Sequence, residues 1–137
     1  TKTTICTKRI QLMKLRYENG LLLTSVKVVF QGKTKTIGNV VVDTGAAHSI
    51  LDIDGVDSLG IYFEPGDKLV SSMGIGGEEY CFSKKIDAIY LDHKVFSDVF
   101  IDFGNLSGFD INGLIGLDLL KTGEFIIDLK KLELRSG

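Results

Sequence analysis

A mainly β fold is predicted by three features of the sequence. Short β-branched and aromatic runs recur along almost the whole chain, and Gly appears 16 times against one Pro and no Trp. Gly-marked turns fall between the runs, and several of the runs alternate between apolar and polar residues, the period of a half-buried strand. The best-defined case is Leu21 to Phe30, where Val26, Val28 and Phe30 fall on one side and Lys27 on the other.

In chain order, Ile10, Leu12, Met13 and Leu15 begin an extended stretch that stops at Asn19-Gly20, a strong hairpin signal. After Leu21 to Phe30, the Gln31-Gly32-Lys33 turn returns the chain through Thr34 to Val42. Ala46 to Leu51 is apolar enough to re-enter the core, and Asp52 to Asp67, with Gly55, Gly60, Pro65 and Gly66, reads as loop with a short helical turn. Leu69 to Met73 and Tyr80 to Phe82 flank a glycine-rich tip, Gly74-Ile75-Gly76-Gly77, and predict a mobile hairpin. Strands follow at Lys85 to Leu91 and Val95 to Asp102, then a loop from Gly104 to Asn112. Gly113 to Gly116 is a small apolar strand, and Leu117 to Lys121 is the best helix candidate, stopped by Gly123. Phe125 to Leu129 and Lys131 to Arg135 finish the chain as strands around a Lys-Lys turn. No linker or tandem repeat divides the sequence, so residues 1–137 are expected to form one domain.

Composition narrows the function classes. At 137 residues, 44% hydrophobic and 25% charged, the chain can bury one core without staples. A formal net charge of −2 supplies no electrostatic reason to bind nucleic acid or an anionic membrane. Cys6 and Cys81 form no Cys-x-x-Cys pair, and His48 and His93 lie far apart, so neither a metal nor another cofactor is expected. One disulfide is compatible with two cysteines, while usage this sparse fits a reducing compartment at least as well. A cytoplasmic setting is expected, although the parent protein could be longer or membrane-attached.

Asp43 is the residue that asks for a chemical explanation. It follows Val40-Val41-Val42 and precedes a hydroxyl and a glycine, Thr44 and Gly45. A carboxylate carried to the end of a buried strand is poorly solvated, and a tight loop there can aim backbone amides at it. An isolated Asp-Thr-Gly is more often an Asx turn that ends a strand. Its surroundings raise it above that.

The segment Val41-Val42-Asp43-Thr44-Gly45-Ala46-Ala47-His48-Ser49-Ile50-Leu51 resembles the active-site segment of aspartic peptidases. Met73-Gly74-Ile75-Gly76-Gly77 is similar to the flap tip of the retropepsins, and Gly113-Leu114-Ile115-Gly116-Leu117-Asp118-Leu119-Leu120 to that family's second hallmark. The three motifs occur in the family's order, and the resemblance spans roughly Leu21 to Leu134. It implies a closed retropepsin-like β-barrel with one short C-terminal helix and a glycine-rich flap hairpin.

The same resemblance implies aspartic endopeptidase chemistry, in which two carboxylates share a proton around one water. Like charges so close cannot both ionise cheaply, so one proton stays on the pair. The chain holds no second Asp-Thr/Ser-Gly, and two copies must therefore meet as a homodimer to bring two Asp43 side chains together. Residues 1–20 would contribute to the dimer contact. Asp43, Thr44 and Gly45 are the expected catalytic set. Ala46, Ala47, His48, Met73, Gly74, Ile75, Gly76 and Gly77 are expected to bind a peptide or protein substrate, with Ile115 a further apolar lining residue. Leu114, Ile115, Leu119 and Leu120 are expected in the core, and Asp118 in a cap or surface role.

Two departures from the family are visible. Viral members commonly have Asp where Ala47 stands and Arg where Leu117 stands, and this chain lacks both halves of that ion pair. The Gly116-Leu117-Asp118-Leu119-Leu120 form of the helix motif and the Ile127-Asp128-Leu129-Lys130-Lys131 ending look more like cellular retropepsin-like domains. The alternative reading on the same fold is a catalytically silent peptide-binding domain. Retention of Asp, Thr and Gly together argues against it, because structure alone has little need of all three.

Overall fold

The computed structural model describes residues 11–74 and 77–136. Their backbone forms eleven strands and one short helix: β1 (Gln11–Lys14), β2 (Arg16–Glu18), β3 (Leu21–Phe30), β4 (Lys33–Val42), β5 (Ile50–Asp52), β6 (Lys68–Gly74), β7 (Gly77–Leu91), β8 (Lys94–Gly104), β9 (Gly113–Ile115), α1 (Leu117–Thr122), β10 (Ile126–Asp128) and β11 (Glu133–Ser136). The fold is mainly β, as the alternation predicts. Cys6, Ile10 and the other residues before 11 lie outside the described part, as do Ile75 and Gly76.

The tight hairpins fall where turn chemistry places them. Asn19 and Gly20 both have positive φ, at 52° and 79°, as do Gln31 and Gly32 at 50° and 81°. That pair of left-handed residues gives a turn whose twist matches the flanking strands. The expected helical turn within 52–67 is a 3-10 segment, Asp54–Leu59, closed by Gly60 in the left-handed conformation at φ 82°.

The larger sheet has the order β2-β3-β4-β9-β5-β8-β7-β6, and an additional β3–β7 pairing brings it back onto itself. Within it β4 and β9 run parallel, as do β5 and β8, whereas β9 and β5 are antiparallel. Parallel pairing puts the C-terminal ends of β4 and β9 side by side, which is where Asp43 and α1 begin. A second sheet, β1-β11-β10, gathers the two ends of the described chain.

Val28, Val40, Leu51, Ile89, Phe103, Ile115 and Leu134 are completely buried in one core. Each such side chain contributes about 1.5–3 kcal/mol relative to leaving it in water. A smaller cluster of Ile50, Cys81 and Leu106, with Val70 and Leu114 packed against it, lies between the β6–β7 hairpin and the Asp43 region. In β7 the neighbours Ala88 and Ile89 are both buried: Ala88 pairs with Val29 of β3, and Ile89 enters the main core.

Candidate active site

The chain leaves β4 at Asp43, whose N–H donates to the Ile115 carbonyl at 2.9 Å. It then turns at once: the Ala46 N–H donates to the Asp43 carbonyl at 3.2 Å, and the Gly45 N–H donates to Asp43 Oδ1 at 2.8 Å. The carboxylate is thus oriented by a backbone amide two residues on, the local geometry that the Asp-Gly spacing suggests. Asp43 is half-buried, and Thr44 and Gly45 are exposed beside it.

The loop is held by the start of α1. Helix N-termini carry backbone N–H groups with no partner inside the helix. Here Leu117 N–H donates to the Ala46 carbonyl at 2.8 Å, and Asp118 N–H to the Ala47 carbonyl at 3.2 Å. Gly116 permits that approach: a Cβ on it would lie 2.6 Å from the Ala46 carbonyl oxygen and about as close to His48 backbone atoms, at 3.0 and 3.1 Å.

A second tie passes through Ser49, which is completely buried. Its N–H donates to Asp118 Oδ2 at 2.9 Å, and its hydroxyl donates to Asp118 Oδ1 at 2.7 Å. The same hydroxyl oxygen accepts the Gly116 N–H at 3.0 Å, and Asp118 Oδ1 also accepts the Leu119 N–H at 2.9 Å. Asp118 is therefore only partly the cap or surface residue that the sequence suggests. Its carboxylate is a half-buried brace between the Asp43 loop and α1. Ser49 was not among the expected site residues; a hydroxyl six positions after the Asp, paired with an acidic residue after Gly-Leu, was the available signal.

The remaining expected residues divide into two groups. Ala46 is half-buried, and Ala47 and His48 are exposed on the same loop. Met73, Gly74 and Gly77 lie at the end of the β6–β7 hairpin, where Gly74 pairs with Gly77, and Ile75 and Gly76 are outside the described residues. The base of that hairpin reaches the loop region through Val70, which packs with Ile50 and Leu114. Ile115 corrects an expectation. It is completely buried in the main core and cannot line a cleft, whereas its neighbour Leu114 points to the opposite face and is half-buried.

Asp102, on β8, is the perturbed carboxyl near this region. Burial pushes it above the usual carboxylate range, the positive charge of His48 offsets part of that, and the nearby Asp118 adds to the rise. Among the described residues, no group of three or more His, Cys, Asp or Glu could hold a metal ion, and no helix is long and apolar enough to cross a membrane. Two surface hollows, one flanked by Met13, Val26 and Tyr90 and the other by Phe30, Lys84 and Phe100, lie away from Asp43.

The sequence pattern of the aspartyl protease family matches residues 26–119, which include the Asp43 loop, the β6–β7 hairpin and the start of α1. Among solved structures, a retropepsin-like aspartic protease from Rickettsia conorii is similar, with 23% sequence identity, 93% of this chain and 92% of that chain covered, and a TM-score of 0.66. No curated protein matches the chain.

Proposed function

The chain belongs to the aspartyl protease family, and from that premise we propose that it is an aspartic endopeptidase that hydrolyses peptide bonds as a homodimer. Each copy supplies one Asp43. The observation that carries the reading is the geometry of that residue: a half-buried carboxylate at a strand end, oriented by the Gly45 amide, in a loop braced from behind by α1. A structural strand-ending Asp would need none of the bracing.

In the proposed mechanism a water lies between the two carboxylates. The ionised member takes a proton from the water as its oxygen attacks the scissile carbonyl carbon, and the protonated member donates a hydrogen bond to the carbonyl oxygen. Collapse of the tetrahedral intermediate breaks the C–N bond, with a proton passing from the carboxyl pair to the departing amine. Thr44 faces the partner loop, and exposed Gly45 lets the substrate backbone approach. Ala46, Ala47 and His48 adjoin the substrate, while the hairpin from Met73 to Gly77 folds over it and excludes water.

The homodimer has independent support in the second sheet. Leu12, Arg135 and Ile126 share one of its rungs and therefore one face. Leu12 and Ile126 are exposed there, as is Leu129 in the adjoining turn. Apolar side chains on the outer face of a small sheet suit burial against a second copy.

The test is cleavage of a peptide library between roughly pH 4 and 7.5 by the wild-type chain and by Asp43→Asn, with the oligomeric state measured on both. Cleavage that Asp43→Asn abolishes, with both chains dimeric, is the expected result. Cleavage that survives the substitution assigns the activity to another group. A dimer that binds peptides and cleaves none is the silent relative.

A further inference from the structure

Strand register links the Asp43 region to a polar site that no family motif includes. Val41 of β4 pairs with Leu114 of β9, Leu114 with Ile50 of β5, Ile50 with Asp102 of β8, Asp102 with Ser83 of β7, and Ser83 with Lys68 of β6. These six residues form one continuous rung across six strands. Paired residues share a face, and residues two apart on a strand share it too, so Asp43 stands on the face of Val41 and of the whole rung.

The rung changes character halfway. Val41 and Ile50 are buried and Leu114 is half-buried, and all three are apolar. Asp102 and Ser83 are half-buried, and Lys68 at the far end is exposed. Two residues along β8 on this same face, a Cβ built on Gly104 would lie 2.9 Å from Cys81 Sγ and 3.3 Å from Ile50 Cδ1, which places Asp102 at the edge of the small apolar cluster that includes Val70 and Leu114. We propose that Asp102 is a specificity-determining residue of the substrate cleft and selects peptides with a Lys or Arg side chain at one position away from the scissile bond. The proposal deepens the peptidase reading and rests on it.

Four observations support the assignment. The Asp102 backbone N–H donates to the Ser49 carbonyl at 3.2 Å, so its position is tied to the loop that carries Asp43. Its carboxylate takes one side-chain hydrogen bond, from the Ser83 hydroxyl, and among the described residues it forms no ion pair. A carboxylate has about four acceptor positions, so a substrate ammonium or guanidinium finds free ones. Burial disfavours the charged form of Asp102, and an incoming cation would relieve that penalty.

Distance sets the substrate position. Three strand steps separate β4 from β8, about 14 Å at the usual inter-strand spacing, which an extended peptide covers in about four residues. A long basic side chain shortens this, so the selected position is two to four residues from the scissile bond and excludes the two that flank it.

The charged groups facing Asp102 from each packed element are His48 on the catalytic loop, Asp118 on α1 and Lys68 on β6. Burial holds the Asp102 carboxyl above the usual carboxylate range, and its ionised form is the one a cationic side chain would meet. The preference for Lys and Arg therefore rises with pH as Asp102 ionises.

The test compares the wild-type chain, Asp102→Asn and Asp102→Glu on peptide sets in which each position in turn carries Lys, Arg or norleucine. Cleavage is read as kcat/KM, and binding of the same peptides is read on Asp43→Asn and on Asp43→Asn/Asp102→Asn. The wild-type chain is expected to favour Lys or Arg over norleucine at one position, by about 10- to 100-fold, the contribution of one charge-assisted hydrogen bond. Asp102→Asn is expected to bring that ratio close to one, and Asp102→Glu to retain part of it. Cleavage with no basic preference, or with a preference that survives Asp102→Asn, overturns the inference and leaves the peptidase reading intact. Binding that prefers Lys or Arg without any cleavage overturns the peptidase reading and with it the substrate role of Asp102, and leaves Asp102 a site for a basic side chain on a peptide-binding domain. Absence of both cleavage and binding overturns both.

Discussion

Ser49 donates twice to the carboxylate of Asp118, through its backbone N–H at 2.9 Å and its hydroxyl at 2.7 Å, although the two residues are 69 positions apart. The hydroxyl oxygen then accepts the Gly116 N–H, so one buried serine satisfies groups on two segments. Networks of this kind hold a geometry only while every member is paired. Asp118→Asn replaces one acceptor with an NH2 group that meets the Ser49 N–H or hydroxyl as a second donor. Ser49→Ala strands the buried Gly116 N–H. Each is expected to destabilise the chain by about 1–3 kcal/mol, the penalty for an unsatisfied buried polar group. In the peptidase assay both should reduce kcat more than they change KM, and Ser49→Thr should restore much of the loss. Denaturant unfolding with steady-state kinetics is the measurement; an unchanged kcat in a destabilised Asp118→Asn would assign the brace to stability alone.

Gly116 makes a separate prediction. Its φ is −102°, so no left-handed backbone demands glycine there. What demands it is space: an added Cβ would lie 2.6 Å from the Ala46 carbonyl oxygen and 3.0 Å from His48 backbone. Neither neighbour is the end of a flexible side chain, so the Asp43 loop itself must move. A displacement of about 1 Å at a catalytic group can remove roughly 100-fold in rate. Gly116→Ala is expected to lose at least that much activity along with stability. Gly38→Ala is the control, since nothing lies within 4 Å of a Cβ at that position. Equal activity in the two variants would mean that α1 does not hold the loop.

The sequence carried the local information well and the long-range information poorly, for physical reasons. Turns at Asn19-Gly20 and Gln31-Gly32 were legible because φ > 0 is a property of a few residues. The end of a strand at Asp43 and the short helix from Leu117 were legible from an apolar run that stops and a glycine that follows. The Ser49–Asp118 brace was hidden, since its members are far apart in sequence and each side chain taken alone has an ordinary surface explanation. Ile115 was expected both in the core and along the cleft, because a three-residue strand, β9, is too short for alternation to say which face is buried. The faces became clear once β9 was seen inserted between β4 and β5. Asp102 was invisible for the same reason, as its place on the Asp43 face follows from register across six strands and from nothing nearby in the chain.

The last prediction concerns pH and the end of the chain. The Asp128 carboxylate accepts backbone N–H bonds from Lys131 at 2.9 Å and Lys130 at 3.0 Å through one oxygen, and its other oxygen lies 3.3 Å from Arg135. The Lys131 amide foremost, with the charge of Arg135, holds its carboxyl below the usual carboxylate range, because both favour the ionised form. A group whose folded-state pKa is depressed contributes stability that is fully present above its unfolded pKa, about 3.9 for Asp, and is lost as pH falls through the folded value. Asp128→Asn keeps an acceptor for the turn and removes the ionisation. It is therefore expected to be less stable than the wild-type chain at pH 7, with the difference shrinking as pH falls below about 4. Urea midpoints of both chains from pH 7 to 2.5 check this. A gap that stays constant over the whole range would mean that the β10–β11 turn owes its stability to the hydrogen-bonding shape of the side chain and owes nothing to its charge.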